Sequence, residues 1–275
     1  MFDTHCHLNF QVFDEKVKET IESAQKAGVE LFLVPGTDIL TSKKAVKIAQ
    51  SFKDVFAVVG IHPHHVFSFL EKNQKEIKNE LEKISELAKE EKVAAIGEVG
   101  LDNYIYKKTK YKDYKINKKF LELQKEVLKQ QIKISLELDK SLVLHNRQAH
   151  IELLKLLNDL WDNKLSQRTI FHCCEPKEDL LKFACEKKIF IGFDGDLTYN
   201  PEKQNFFKKV PLELILFETD SPFLTPLPVK NEKRFPNKPQ NLKYIIEIAA
   251  YLKKLDRKKL AEIGKENGKK CFNLN

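Results

Sequence analysis

Short apolar runs alternate with helical patterns along the whole chain. Residues 1–8, MFDTHCHL, read as a first strand. Val17, Ile21 and Ala24 recur at helical spacing within 14–27, and Gly28 ends that segment. VELFLV (29–34) and VFAVVGI (55–61) are the next strands, separated by a helix over 41–52 with Ala45, Ile48, Ala49 and Phe52 on one face. Ile77, Leu81, Ile84 and Ala88 mark a helix over 74–90, and VAAIG (93–97) follows as a fourth strand. The second half repeats the scheme. A helix over 117–138 leads to SLVLH (141–145), one over 149–161 to RTIFH (168–172), and one over 176–187 to KIFIGF (188–193). ELILFE (213–218) is the eighth strand, followed by helices near 240–254 and 256–271. This alternation predicts an α/β fold, a single closed (β/α)8 barrel of one domain spanning 1–275. An open doubly wound sheet is the alternative, but it cannot bring so many strand ends to one point.

Composition fits that reading. A chain of 275 residues, 42% hydrophobic, can bury a large core, and a barrel of this type takes roughly 250 residues. No apolar run approaches the ~20 residues of a membrane span, and Met1 leads straight into a strand, so neither a membrane segment nor a signal peptide is expected. The five cysteines (Cys6, Cys173, Cys174, Cys185, Cys271) have no CxxC spacing, which predicts a reducing, cytoplasmic setting. A formal charge of +8 suits an anionic partner, but the excess is mostly lysine and reads equally well as genome composition. Charge alone therefore does not predict a nuclease.

The histidines change the picture. Seven of the eight fall where an apolar run ends: His5 and His7, then His62, His64 and His65, then His145 and His172. Glu98 and Asp220 share that context. Strand periodicity is two, so His5 and His7 should aim together into a barrel mouth. Imidazole and carboxylate are ligands for divalent metals, and this set is large enough for more than one ion. Cys6 and Cys173 should point away from the ligand direction and belong to the core.

FDTHCHL, GIHPH (60–64), IGEVGLD (96–102), LHNR (144–147), FHC (171–173) and ETDSPFL (218–224), in that order, resemble the motifs of the TatD family of metal-dependent hydrolases. The ending ENGKKCF, with Asn267 and Phe272, is similar to the family's ending. The resemblance implies an amidohydrolase-like barrel and a divalent-metal-dependent deoxyribonuclease, with DNA (single strands or 3′ ends) or RNA as partner. It implies no membrane and no stable protein partner. It also implies two divalent ions: His5 and His7 with Asp220 on one, His145 and His172 on the other, and Glu98 bridging both. Zn, Mn and Co suit such ligands, and the resemblance also implies Mg. Asp220 would also accept the proton of the attacking water, which makes Asp220 and Glu98 the catalytic pair.

His62 and Arg147 are the expected substrate contacts, through a phosphate; the alternatives are a loop imidazole bonded to backbone carbonyls for His62 and a salt bridge at the barrel rim for Arg147. His65 is expected at the surface. Glu218 shares the strand face of Asp220 and is a candidate either to orient a ligand histidine or to form a buried ion pair. Two long loops follow strands and so flank the site: 102–116, rich in Tyr and Lys, and 221–240, rich in Pro and basic residues. The Tyr–Lys loop either contacts nucleic acid or covers the barrel with its tyrosines packed inward. Three segments depart from the family pattern: Cys174–Glu175–Pro176, Phe193–Asp194–Gly195–Asp196 and Pro236–Asn237–Lys238–Pro239. All are expected near substrate, and Glu175, Asp194 and Asp196 oppose a phosphate unless a metal or lysine compensates. The rival enzyme reading is hydrolysis of an amide, lactone or aminoacyl ester. The rival outside enzymology is a non-catalytic nucleic-acid-binding or scaffolding protein.

Overall fold

A computed structural model describes residues 1–232 and 235–274; Arg234 in the second long loop lies outside the described residues. Eight parallel strands form one sheet in sequence order: β1 (Phe2–Asp3), β2 (Leu31–Pro35), β3 (Val55–Val59), β4 (Val93–Asp102), β5 (Ser141–Arg147), β6 (Thr169–His172), β7 (Phe190–Phe193) and β8 (Ile215–Phe217). The seam between β8 and β1 is closed by backbone bonds. Thr4 N–H donates to Phe217 O at 3.1 Å, Asp220 N–H to His5 O at 2.9 Å, and His7 N–H to Ser221 O at 2.7 Å. The sheet is thus a barrel, as the alternation predicts.

The helices α1 (Val17–Lys26), α2 (Ile39–Ser51), α3 (Gln74–Ala88), α4 (Lys118–Glu137), α5 (His150–Leu160), α6 (Glu178–Lys187), α7 (Pro201–Lys209), α8 (Leu242–Lys253) and α9 (Arg257–Phe272) follow the strands. Their apolar stripes explain their seats: Ile77, Leu81, Ile84 and Ala88 of α3 are all buried. Asn73 caps that helix by accepting from Glu76 N–H at 3.0 Å. Two apolar layers result. Outward-facing strand residues such as Phe32, Val34 and Val59 pack under the helices. Inward-facing Leu33, Val58, Val143, Ile170 and Leu216 fill the barrel, with Cys271 and Phe272 of α9 joining them. Ser141, at the start of β5, donates to Cys271 O at 2.6 Å, so α9 plugs the N-terminal end. The C-terminal mouth is left for polar side chains.

Three boundaries differ from the sequence reading in ways that matter. The first strand is short: only Phe2–Asp3 pairs regularly, and Cys6 forms an isolated bridge with Ser221. The fourth strand runs five residues further, to Asp102. The helix α7 has no counterpart in that reading. Asn200 caps it, accepting from Glu202 N–H at 3.0 Å, and Pro201 opens it, while Phe206 and Phe207 are buried side by side.

Candidate metal centre

The site is organised around one buried carboxylate. Glu98 is 3% exposed and sits past a register shift between Ile96 and Val99 in the β4–β5 ladder, an irregularity that re-aims a strand side chain. Two residues on, Gly100 pairs with His145, and a Cβ at Gly100 would lie 1.8 Å from His145 O. Only glycine lets the strands approach so closely beside the site. Glu98 Oε1 lies 2.7 Å from His145 Nδ1, 3.4 Å from His62 Nε2 and 3.7 Å from His172 Nε2. Its Oε2 lies 3.4 Å from His5 Nε2 and 3.7 Å from His7 Nε2. Asp220 Oδ1 closes the ring at 3.9 Å from His5, 3.4 Å from His7 and 3.8 Å from His172. All six residues named as metal ligands meet at the C-terminal mouth. The seam hydrogen bonds carry His5, His7 and Asp220 there, since a regular strand ends at Asp3. Asp220 adopts a left-handed φ of 49°, a strain of order 1–3 kcal/mol that proteins retain at functional sites.

Hydrogen bonds sort the imidazoles into donors and lone-pair bearers. His7 Nδ1 donates to Pro35 O at 3.2 Å, which leaves a lone pair on Nε2. His172 Nδ1 lies 3.1 Å from Glu218 Oε2, an ion-pair contact off the ideal hydrogen-bond line, so its Nε2 is also free to ligate. Glu218 is fully buried, and its Oε1 accepts from Cys173 N–H at 2.6 Å. A Cβ at Gly192 would meet that carboxylate at 2.3 Å, so glycine is needed behind it. His5 and His7 bring their Nε2 atoms within 3.2 Å. The lone pair of His7 Nε2 thus faces His5 Nε2, and two imidazole nitrogens that close are a donor set that suits a divalent metal. His62 differs. Its Nδ1 accepts from His64 N–H at 3.0 Å, so in the neutral ring Nε2 carries the proton. It therefore points a donor at Glu98.

The electrostatics follow. Burial opposes charge on Glu98, but His62, His172 and His145 overcome it and hold the carboxyl well below its usual range. Burial also opposes the charged form of His172 and His145, and carboxylates win in both cases. Glu218 and Glu98 hold His172 at about 10, and Asp102 and Glu98 hold His145 at about 9. Burial, with His172 beside it, lowers His5 to about 4. A divalent ion replaces this proton charge with its own.

Three residues were missed from sequence. Asp102 Oδ2 lies 3.0 Å from His145 Nε2 and accepts from Tyr106 Oη at 2.7 Å. Glu98 and Asp102 share a strand face, which a fourth strand read to 102 would have revealed. Asp3 accepts from Thr219 N–H at 2.9 Å and Thr219 Oγ1 at 2.6 Å, and burial raises its carboxyl to about 8; it braces the seam instead of ligating. Lys203, 3% exposed, places Nζ 3.1 Å from Asp194 and 2.9 Å from Asp196. This is the compensating lysine that those acids required.

Other expectations are corrected. His65 is half-buried: Nδ1 meets Tyr111 Oη at 2.7 Å, and burial with His62 nearby lowers it to about 3. Cys6 is core, but Cys173 lines the cavity because its left-handed φ of 44° breaks strand alternation. Asn237 is wholly buried and does not face substrate; its Nδ2 donates to Thr219 O at 2.9 Å and Phe223 O at 2.7 Å. Glu175 is occupied by Asn146 Nδ2 at 2.6 Å. Arg147 Cζ lies 3.7 Å from the Tyr104 ring centroid, and its Nη1 donates to Tyr106 Oη at 3.3 Å. Among the described residues it has no ion-pair partner, so the rim salt bridge is not formed. Arg147, Glu175 and Cys173 line, with Glu98 and Asp220, a cavity of about 530 Å³.

The profile of the family described as TatD related DNase matches residues 2–273. The chain belongs to the TatD family. It is 31% identical over 277 residues to the metal-dependent hydrolase YabD of Bacillus subtilis, with all of both chains covered. It is 29% identical to the 3′-5′ ssDNA/RNA exonuclease TatD of Escherichia coli, covering 100% of this chain and 99% of that one. The crystal structure of the TatD homologue YjjV of Escherichia coli superposes with a TM-score of 0.83 at 24% identity, covering 100% of this chain and 98% of the other. That likeness bears on the fold, which is the TatD barrel. Among the described residues no helix is long and apolar enough to cross a membrane.

Glu218 gives a test of ligand positioning in this TatD-family site. Glu218→Gln keeps the volume but loses the charge that orients His172. Metal affinity is expected to fall about 10–100-fold, measured by titration with a competing chelator. Unchanged affinity would mean that Glu218 serves the fold alone.

Proposed function

We propose that this TatD-family metal-dependent hydrolase cleaves phosphodiester bonds at the ends of single-stranded DNA, and of RNA, with two divalent ions gathered at Glu98. The observation that carries this reading is the pairing of the histidine–carboxylate cluster with a guanidinium, that of Arg147, which has no ion-pair partner among the described residues and lines the same cavity. Two ions there would acidify water and neutralise charge on a phosphoryl oxygen. His5, His7 and Asp220 would hold one ion, His145 and His172 the other, and Glu98 would serve both. Asp220, 13% exposed and facing the cavity, also accepts the proton of the attacking water. His62 carries its proton on Nε2, facing Glu98 at 3.4 Å; with Glu98 taken up by the ions, that proton is the one it would offer to a phosphate oxygen. Arg147 is held flat on Tyr104 and presents its N–H edge to a second oxygen. The family relation to an enzyme named as a 3′-5′ ssDNA/RNA exonuclease supports the choice of substrate and of end. Five free cysteines suit a cytoplasmic setting.

The decisive experiment incubates purified protein with end-labelled single-stranded DNA and RNA across Zn, Mn, Co and Mg. Progressive shortening from the 3′ end, abolished by chelator, is the expected result. Intact strands beside rapid turnover of an acyl ester would transfer the site to the carbonyl reading.

The Tyr–Lys loop divides its roles. Tyr111 and Tyr114 pack against Phe67, with ring centroids at 5.6 and 5.0 Å, and Tyr104 and Tyr106 are engaged by Arg147. The rings therefore cover the barrel. Lys107, Lys108 and Lys112 are exposed, while Lys110 pairs with Asp38 at 3.2 Å. Replacing Lys107, Lys108 and Lys112 with serine is expected to weaken single-strand binding and flatten its salt dependence by about 0.7 per lysine, with metal content unchanged. A salt slope equal to the parent's would mean that the loop touches no phosphate.

A further inference from the structure

With the loop tyrosines turned inward, the cavity holds one aromatic ring free to take a base. Phe223 is 48% exposed, lines the cavity, and touches other rings only edgewise. Its centroid is 6.1 Å from Phe10 at 73° and 6.4 Å from His7 at 69°. Phe10, by contrast, lies stacked on His7 at 4.3 Å and 18°, so its face is already used. The backbone of Phe223 is pinned at both ends. Its N–H donates to Asp220 O at 2.8 Å, and its carbonyl accepts from the buried Asn237 at 2.7 Å. An exposed apolar ring is thus carried on a pinned backbone three residues after a proposed metal ligand. It lies at the β8–β1 seam, across the barrel mouth from Arg147 on β5. A strand whose phosphate lies between these walls brings a base to the Phe223 side.

We propose that Phe223 is the stacking surface for the base of the nucleoside flanking the scissile phosphate, and so a specificity-determining residue for nucleic acid over other phosphodiesters. The inference rests on the nucleic-acid reading of the site and deepens it. Stacking on an aromatic ring tolerates every base, because each has a π-face, so Phe223 confers preference for a nucleoside without preference for sequence. With its backbone already pinned, Phe223 has only its two side-chain torsions to order on binding.

Metal-loaded protein is titrated calorimetrically with thymidine 5′-monophosphate and with 2-deoxyribose 5-phosphate, which lacks the base. The parent is expected to bind the nucleotide about tenfold more tightly than the sugar phosphate. Phe223→Ala should erase that difference by weakening nucleotide binding alone, with metal content preserved. Phe223→Trp should retain it. On a single-stranded oligonucleotide, Phe223→Ala should raise KM about tenfold and leave kcat in place. An oligonucleotide with a base-less terminal nucleoside should not distinguish alanine from phenylalanine. The proposal is overturned if the parent binds both phosphates equally, if Phe223→Ala keeps the preference, or if it weakens both ligands together through loss of metal beside His7. If the preference follows Phe223 but DNA is not cleaved, the stacking surface stands and the nuclease reading falls.

Discussion

On the two-ion reading, Glu98→Ala is expected to abolish turnover and to strip the protein of both ions. The reason is the number of groups that share this carboxylate: five imidazoles lie within 2.7–3.7 Å of its two oxygens. Removing a terminal ligand weakens one ion, but removing a shared one weakens both and leaves two charged cations or protons facing each other. Metal catalysis of this kind contributes several kcal/mol of charge stabilisation. At about 1.4 kcal/mol per tenfold, the loss of rate is on the order of a thousandfold or more. Glu98→Asp separates charge from reach: it keeps the negative charge but shortens the arm that spans His145 and His5. It should therefore retain partial metal and little activity. Inductively coupled plasma analysis beside a nuclease assay checks both variants, with circular dichroism to confirm the fold. An alanine variant carrying two ions per chain would show that Glu98 is not the bridge.

The barrel and the histidine cluster were legible because strand runs and ligand types coincide. The cause of convergence was less legible. His5 and His7 were expected to align through strand periodicity, but they lie beyond the two-residue strand β1. Backbone bonds from His7 N–H to Ser221 O and from Asp220 N–H to His5 O bring them to Asp220. No local pattern encodes a pairing between residues more than two hundred positions apart. Asp102 was missed because VAAIG was stopped at Gly97, where glycine in a strand reads as punctuation. Here that glycine lies within a strand that continues to Asp102. Cys173 was read as core by alternation, and a single left-handed residue reversed it.

The residue hidden most completely was Lys203, and it supports the second large prediction. The segment PEKQNFFKK lacks an i, i+3, i+4 apolar stripe, since its two phenylalanines are adjacent, so no helix was expected there. Yet α7 delivers Lys203 into the cavity wall, where its ammonium sits between Asp194 Oδ2 at 3.1 Å and Asp196 Oδ1 at 2.9 Å. Burial alone would push the ammonium toward neutrality, and the two carboxylates reverse that, raising Lys203 well above its ordinary value. Breaking a buried pair by deleting one partner leaves an uncompensated charge and costs about 3–5 kcal/mol. Lys203→Met, which keeps the stem and removes the charge, should therefore lower the urea midpoint and lower Tm by on the order of 10 °C. Its pH dependence has a definite sign. Burial already holds Asp196 at about 7 beside the lysine, and losing the ammonium raises it further, so the deficit grows as pH rises from the unfolded carboxylate range through that value and shrinks as pH falls. Adding Asp194→Asn and Asp196→Asn to Lys203→Met should restore most of the loss, because the charges then disappear together. A Lys203→Met variant within about 1 kcal/mol of the parent would place the trio among solvated surface pairs. The acids at the end of β7 would then stand as uncompensated negative charge against a phosphate substrate.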